Sequence, residues 1–295
     1  MSKFYPRLKK MATLIQCKAA LHVYGILLFS PIFAFCDNVA FKSNNVKINR
    51  EFVVIVCSYK NQKYVNKNLA SIFNQSYDSF RVIYLDDKSP DHTFAIAKYM
   101  TKHKKHSCHV TLISNSNNVG CMENTYNAIN MCRDDEIIVI LDGDDWFAHD
   151  HVLANLNRYY QDENVWLTYG QYKEWPSGKI GFNRACKASE LNGNMRKAPW
   201  VTTHLRTFYA GLFKKIKKTD LMRWGQFVDV TSDQAFMLPM LDMARQHSFF
   251  IPEVMYIYNK ANPSSDRKYA DRQLEMKAYI RTLPTYQPLT SHPRG

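Results

Sequence analysis

Three carboxylates fall within four positions in the stretch Ile137–Phe147, IIVILDGDDWF. The four apolar residues Ile137 to Ile140 predict a buried strand, which then delivers Asp142, Asp144 and Asp145 around Gly143. A strand interior cannot hold three carboxylates. They are therefore expected at its C-terminal end, where open α/β sheets bind ligands. Carboxylates this crowded repel one another unless cationic groups or a divalent ion neutralise them, and Mg²⁺ or Mn²⁺ shared with a diphosphate is the natural partner. A solvated turn capping the next helix is the plainer alternative.

The elements that must position these acids are legible upstream. Phe52–Cys57, Arg81–Leu85, Val110–Ile113 and Glu136–Leu141 read as strands. Helical spacing over Lys63–Phe73, Thr93–Lys102 and Cys121–Met131 separates them, and a helix over His149–Tyr160 and a strand at Val165–Tyr169 continue the series. Such alternation predicts an α/β fold with a doubly wound, mostly parallel sheet. The strands end in Cys57-Ser58-Tyr59-Lys60-Asn61, Asp86-Asp87-Lys88-Ser89, Ser114–Gly120 and the acid cluster, so four polar ends share one sheet edge. No GxGxxG or GxxxxGK[ST] follows the first strand, which leaves a metal to handle any diphosphate charge. Past Gly170 the segment Gln171–Pro199 reads as loops and irregular strands. Periodicity returns at Leu205–Ile216 and Asp233–Ala244, followed by a strand at Ile251–Tyr258, a helix through Gln273–Tyr279 and a frayed tail.

In order, VVIVCSYKNQKYVNKNLASIFNQSY, VIYLDDKSPD, NSNNVG and VILDGDDWF resemble the catalytic domain of family 2 glycosyltransferases of the GT-A fold. The resemblance implies inverting transfer of a hexosyl or N-acetylhexosaminyl group from a nucleoside-diphosphate sugar to an acceptor hydroxyl, with Mn²⁺ or Mg²⁺. It implies donor contacts from Cys57, Ser58, Tyr59, Asp87, Asn118, Gly120, Asp142 and Asp144, with Tyr59 packing on the base and Asp87 bonding it. Asp144 and Asp145 would hold the metal. Cys57 stands where the family more usually carries Thr or Pro, and backbone contacts survive that change. The resemblance also puts a catalytic base at the start of a helix about ninety positions after the acid cluster, which is Asp233 in Ser232-Asp233-Gln234. Asp233 as a mere helix cap is the alternative, and Asp229 is the reserve base. His204, Arg206 and Asn262 are further candidates for acceptor or substrate contacts. Many relatives carry a histidine near Asn262, which leaves the third metal-side ligand open. The acceptor would be a glycan, a lipid-linked group or a protein, bound by the C-terminal portion. Two other readings stand beside this one: a nucleotidyl- or phosphoryl-transferase on a similar sheet, and a non-catalytic sugar-nucleotide binder.

The chain of 295 residues carries a formal charge of +13, with Lys3, Arg7, Lys9, Lys10 and Lys18 and no acid in residues 1–36. A basic balance suits an anionic ligand or membrane surface. No helix-turn-helix, zinc finger or RNP-type motif appears, so nucleic acid is not an expected partner. Ala19–Cys36 runs eighteen residues without a charge and reads as a signal peptide, a signal-anchor or a buried helix. The first two place the protein at a membrane or in a secretory lumen; the third leaves it cytoplasmic and membrane-peripheral. The expected organisation is a targeting segment at 1–36, one catalytic domain at 51–285 and a tail at 286–295. Seven cysteines include no CxxC pair, which argues against a structural zinc site.

Overall fold

Successive strand residues point to opposite sheet faces, so a strand that is apolar throughout must be covered on both. The strand β1 (Phe52–Ser58) is such a run, FVVIVCS. In the computed structural model, which describes residues 48–104, 106–263 and 269–294, helices supply that cover. The chain continues through α1 (Val65–Phe73), β2 (Phe80–Asp86), α2 (Thr93–His103), β3 (His109–Ser114), α3 (Cys121–Asn130) and β4 (Ile137–Ile140). The four strands are parallel and lie in the order β3-β2-β1-β4. Val53 and Ile55 face a core built with α3, whereas Phe52, Val54 and Val56 face one built with α1. In α1 the buried Val65, Leu69, Ile72 and Phe73 follow helical spacing, which turns one stripe to the sheet.

Beyond the acid turn come β5 (Trp146–Phe147), α4 (Val152–Tyr159), β6 (Leu167–Trp175), α5 (Ala188–Leu191), β7 (Arg206–Tyr209), α6 (Ala210–Lys214) and the hairpin β8 (Met222–Arg223) with β9 (Gln226–Phe227). The chain then forms α7 (Ser232–Ala244), β10 (Ser248–Asn259) and α8 (Ala270–Thr282). The main sheet has eight strands, extended from β4 through β7, β6, β10 and β5. Pairings at β4·β7, β6·β7 and β10·β5 are antiparallel and the others parallel. Helix α7 is buried from Gln234 to Ala244, with α6 beside it in the same core.

Three sequence expectations are corrected. The periodic stretch Leu205–Ile216 splits into β7 and α6, because Arg206–Tyr209 pairs with β4. The strand expected at Val165–Tyr169 runs on to Trp175 through its parallel pairing with β10. The closing residues do not fray. The Leu289 amide donates to the Met243 carbonyl (3.0 Å), and the Tyr286 hydroxyl donates to Asp220 (2.6 Å). The segment 1–36 lies outside the described residues. Among those described, no helix is long and apolar enough to cross a membrane.

Candidate active site

The acid turn is pressed onto the end of β1. A Cβ added at Gly143 would stand 2.6 Å from the Ser58 hydroxyl and 2.8 Å from the Asn61 amide nitrogen, so only glycine lets the turn approach this closely. The Gly143 amide donates to the Cys57 carbonyl (3.1 Å). On the other side, β5 pairs with β10 and places Tyr256 and Asn259 beneath the carboxylates.

The three acids then take different roles. Asp145 is fully buried, accepting from the Tyr256 hydroxyl (2.5 Å) and the Asn259 amide (2.7 Å). Burial first, then Asp144 and Asp142, push its carboxyl well above the usual carboxylate range. Burial likewise holds the Tyr256 hydroxyl well above its ordinary range, so it stays protonated, 3.1 Å from Asp142 Oδ2 as well. Asp144 Oδ2 accepts from the Asn262 amide at 2.7 Å. Asp142 Oδ2 faces the Arg206 guanidinium at 3.4 Å and His204 Nδ1 at 3.7 Å. His204 is stacked on Tyr256 and Tyr258, with ring centroids at 4.4 and 5.1 Å, and Arg206 Nη2 lies 3.0 Å from its Nδ1. Burial, then Arg206 and Lys260, hold its imidazole well below the ordinary histidine range. A neutral ring keeps a lone pair for a cation or for Arg206.

These groups fit a divalent cation. One ligand atom each from Asp142, Asp145 and His204 lies within 4.8 Å of the others, and two carboxylates with an imidazole are donors that divalent metals take. After burial, repulsion from Asp144 and Asp142 raises Asp145, and a bound cation would offset that repulsion. The set keeps Asp145 from the Asp144 and Asp145 pair expected from sequence and has Asp142 and His204 in place of Asp144.

The acids open into a cleft of about 790 Å³. Its walls include Cys57, Tyr59, Cys121, His204, Arg206, Asn262, the start of α7 and the first turns of α8. Tyr59 in that wall is 40% exposed, with the Lys60 ammonium 4.9 Å from its ring centroid. Asp233 lies across from the acid turn. Arg206 bridges the two sides, with Nη1 3.5 Å from Asp233 Oδ2. The N-cap of α7 is Thr231, not Asp233, whose carboxylate accepts from the Gln234 amide (2.9 Å). Thr231 adopts φ +60°, a strained conformation for a β-branched residue, at the mouth of the site. Asp229 also lines the cleft but is engaged by Arg272 at 2.8 Å.

Four expected donor contacts stand back from the cleft. Ser58 is buried and accepts from the Asn61 amide (3.1 Å), supporting the Gly143 turn. The Asp87 carboxylate accepts from the Val119 and Gly120 amides (2.9 and 2.8 Å) and from Asn115 (2.8 Å). The Asn118 side chain donates to the Asp87 carbonyl (3.0 Å). Asp87, Asn118 and Gly120 thus form one clamp that fixes the entry to α3, where Gly120 takes φ +87°. Sequence reasoning missed Tyr256 as a site residue. It sits inside an ordinary strand pattern more than a hundred positions from the acids it touches, with no local signal of its own.

Comparison with known proteins agrees with this architecture. Residues 53–220 match the profile of "Glycosyl transferase family 2". An uncharacterized glycosyltransferase of Haemophilus influenzae is 28% identical over 121 residues, covering 41% of this chain and 36% of that protein. The chain thus spans about a third of the length of that curated relative. Among solved structures, S. aureus TarS 1-349 in complex with UDP-GlcNAc is similar at TM-score 0.55 and 16% identity, over 78% of this chain and 66% of that one. Mannosyltransferase PcManGT from Pyrobaculum calidifontis, in complex with GDP-Man and Mn²⁺, is similar at TM-score 0.54 and 19% identity, over 79% and 63%. At such identities the structural likeness speaks for the fold. The structural likeness gives the GT-A fold, and the sequence match spans more than half of the chain, so the chain belongs to glycosyltransferase family 2.

Proposed function

We propose that the protein transfers a hexosyl or N-acetylhexosaminyl group from a nucleoside-diphosphate sugar to an acceptor hydroxyl, with inversion and with a divalent cation. One observation carries the reading: Arg206 lies between Asp142 (3.4 Å) and Asp233 (3.5 Å), so the acid turn and the start of α7 face one cleft. Inversion by single displacement needs a base on the acceptor side, opposite the leaving diphosphate. Asp233 has that place. It takes the proton of the acceptor hydroxyl as the oxygen attacks the anomeric carbon, while Arg206 balances its charge. Tyr59 offers its ring to the base of the nucleotide. Asp142, Asp145 and His204 would hold the cation, whose charge stabilises the leaving diphosphate when bound. The solved neighbours bound to UDP-GlcNAc and to GDP-Man with Mn²⁺ support this donor class by analogy of fold. The same reading keeps residues 1–36 as a membrane-targeting segment, which protease protection of the full chain in isolated membranes would check.

Calorimetry with UDP and GDP, in Mn²⁺ and then in chelator, tests the proposal. One of the two should bind more tightly with Mn²⁺; equal binding in chelator would remove the cation. Release of pyrophosphate in place of a nucleoside diphosphate during turnover would move the protein to the nucleotidyl-transferases.

A further inference from the structure

The floor of the cleft holds two thiols that the proposed transfer does not use. Cys57 is the penultimate residue of β1, and Cys121 is the first residue of α3, directly after Gly120. Both line the cleft, and Cys121 is exposed to it. One turn along α3, the Thr125 hydroxyl lies 3.6 Å from Cys57 Sγ and 3.9 Å from Cys121 Sγ. Both sulfurs therefore lie against one hydroxyl. Their environments differ. Cys121 stands at a helix N-terminus, where partial positive charge favours a thiolate. Its neighbour Cys57 draws the Cys121 thiol below the ordinary range against burial and Asp142, helped by the Thr125 and Ser232 hydroxyls, while Cys121 and burial push Cys57 up. An accessible thiol of depressed pKa beside a second cysteine is the arrangement on which oxidative sensing depends. The other described cysteines lack it: Cys108 and Cys132 are buried, and Cys186 is half-buried against Tyr169.

We propose that Cys121 and Cys57 are an oxidant-responsive thiol pair, closed to a disulfide by peroxides, which shuts the nucleotide end of the cleft. The Cys121 sulfur attacks one peroxide oxygen, the O–O bond breaks, and water leaves with the released proton, giving a sulfenic acid. The Cys57 sulfur then attacks the Cys121 sulfur. An S–S bond forms, the S–O bond breaks, and the hydroxyl leaves as a second water with the Cys57 proton. Two thiols lose two electrons and one peroxide becomes two waters. The new bond draws the first turn of α3 onto β1, beside Tyr59 and Asp142, where the donor is proposed to sit. The functional consequence rests on that donor reading; the thiol chemistry does not.

The test uses the full chain, reduced and then titrated with hydrogen peroxide. A non-reducing peptide mass map should show Cys57 joined to Cys121 before Cys186 is oxidised. Calorimetry with UDP and GDP in Mn²⁺ should show affinity for the bound nucleotide falling about tenfold or more, or about 1.4 kcal/mol, and returning with dithiothreitol. In Cys57→Ser the oxygen should stay on Cys121 and be captured by dimedone, while wild-type protein escapes capture by forming the disulfide. Absence of the linked peptide overturns the pair, and so does unchanged nucleotide affinity in fully linked protein. Reduced protein that binds neither nucleotide would instead count against the donor reading, with the mass map still deciding the thiol chemistry.

Discussion

Asp233→Asn and Asp144→Asn are expected to fail differently, because the two carboxylates lie on opposite sides of the cleft. Asp233→Asn is nearly isosteric and leaves the acid turn untouched. Transfer should fall about 10²–10⁴-fold, the usual worth of a general base, with nucleotide binding retained. Its cost in stability should be about 0.3–1 kcal/mol, since Asp233 sits in the first turn of α7 and complements the helix dipole. Steady-state transfer assays beside calorimetry read both quantities, and near-wild-type turnover would shift the base to Asp229. Asp144→Asn removes a charge beside Asn262 and should weaken Mn²⁺-dependent nucleotide binding, measured by the same calorimetry. At Gly143 a methyl group cannot fit against Ser58 and Asn61. Gly143→Ala should therefore lift the acid turn from β1 and lower nucleotide affinity, whereas the same change at exposed Gly225 should not.

Helices α7 and α8 are joined through Arg196, which donates to the Ile280 carbonyl (2.8 Å) and faces Asp242 at 3.8 Å. Both side chains are 1% exposed. Burial pushes the Asp242 carboxyl up and the Arg196 guanidinium down, so each resists being charged. Arg196→Met should leave Asp242 uncompensated and cost about 3 kcal/mol at pH 7, the low end for a broken buried pair because the gap is long. A carboxyl whose folded pKa is raised costs stability as pH rises. The loss should therefore shrink when urea unfolding is repeated at pH 5. The same pair of helices lines the cleft, so under the proposed function the variant should also raise KM for the acceptor before it alters nucleotide binding.

The closing residues of the chain return to the base of the sheet. His292 packs edge-on against Tyr209 and Trp166, with centroids at 4.7 and 5.6 Å. Burial, then Arg50 and His247, hold its imidazole down to about 4, against an ordinary value of 6.5. The undocked segment takes up a proton that the docked one refuses. Docking stability is therefore complete above pH 6.5 and is lost as pH falls towards about 4. The protection factor of the Leu289 amide, with the intrinsic exchange rate at each pH divided out, should fall over that window, and His292→Phe should abolish the change. Val46–Gly295 forms one compact unit, so a chain beginning at Val46 should unfold in urea with the same midpoint as the full chain and bind the same nucleotide.

The alternating half of the molecule was readable in its residues. Buried parallel strands must be apolar throughout, and their covering helices must show one stripe, so β1 to β4 and α1 to α3 carry their own evidence. The acid cluster and Tyr59 could be placed for the same reason, since strand ends in such a sheet share a known edge, whereas Asp233 was singled out by the family resemblance alone. What sequence could not reach depends on contacts between distant segments. The two-residue β5 exists only because β10 pairs with it, and the split of residues 205–216 follows from pairing with β4. Tyr256 became a partner of Asp142 and Asp145, and Asp87 a clamp on the loop before α3, through contacts no local pattern records. The thiols of Cys57 and Cys121 met in the same way. Periodicity reports which face a residue shows, and only the packed sheet decides which residues from different elements share it.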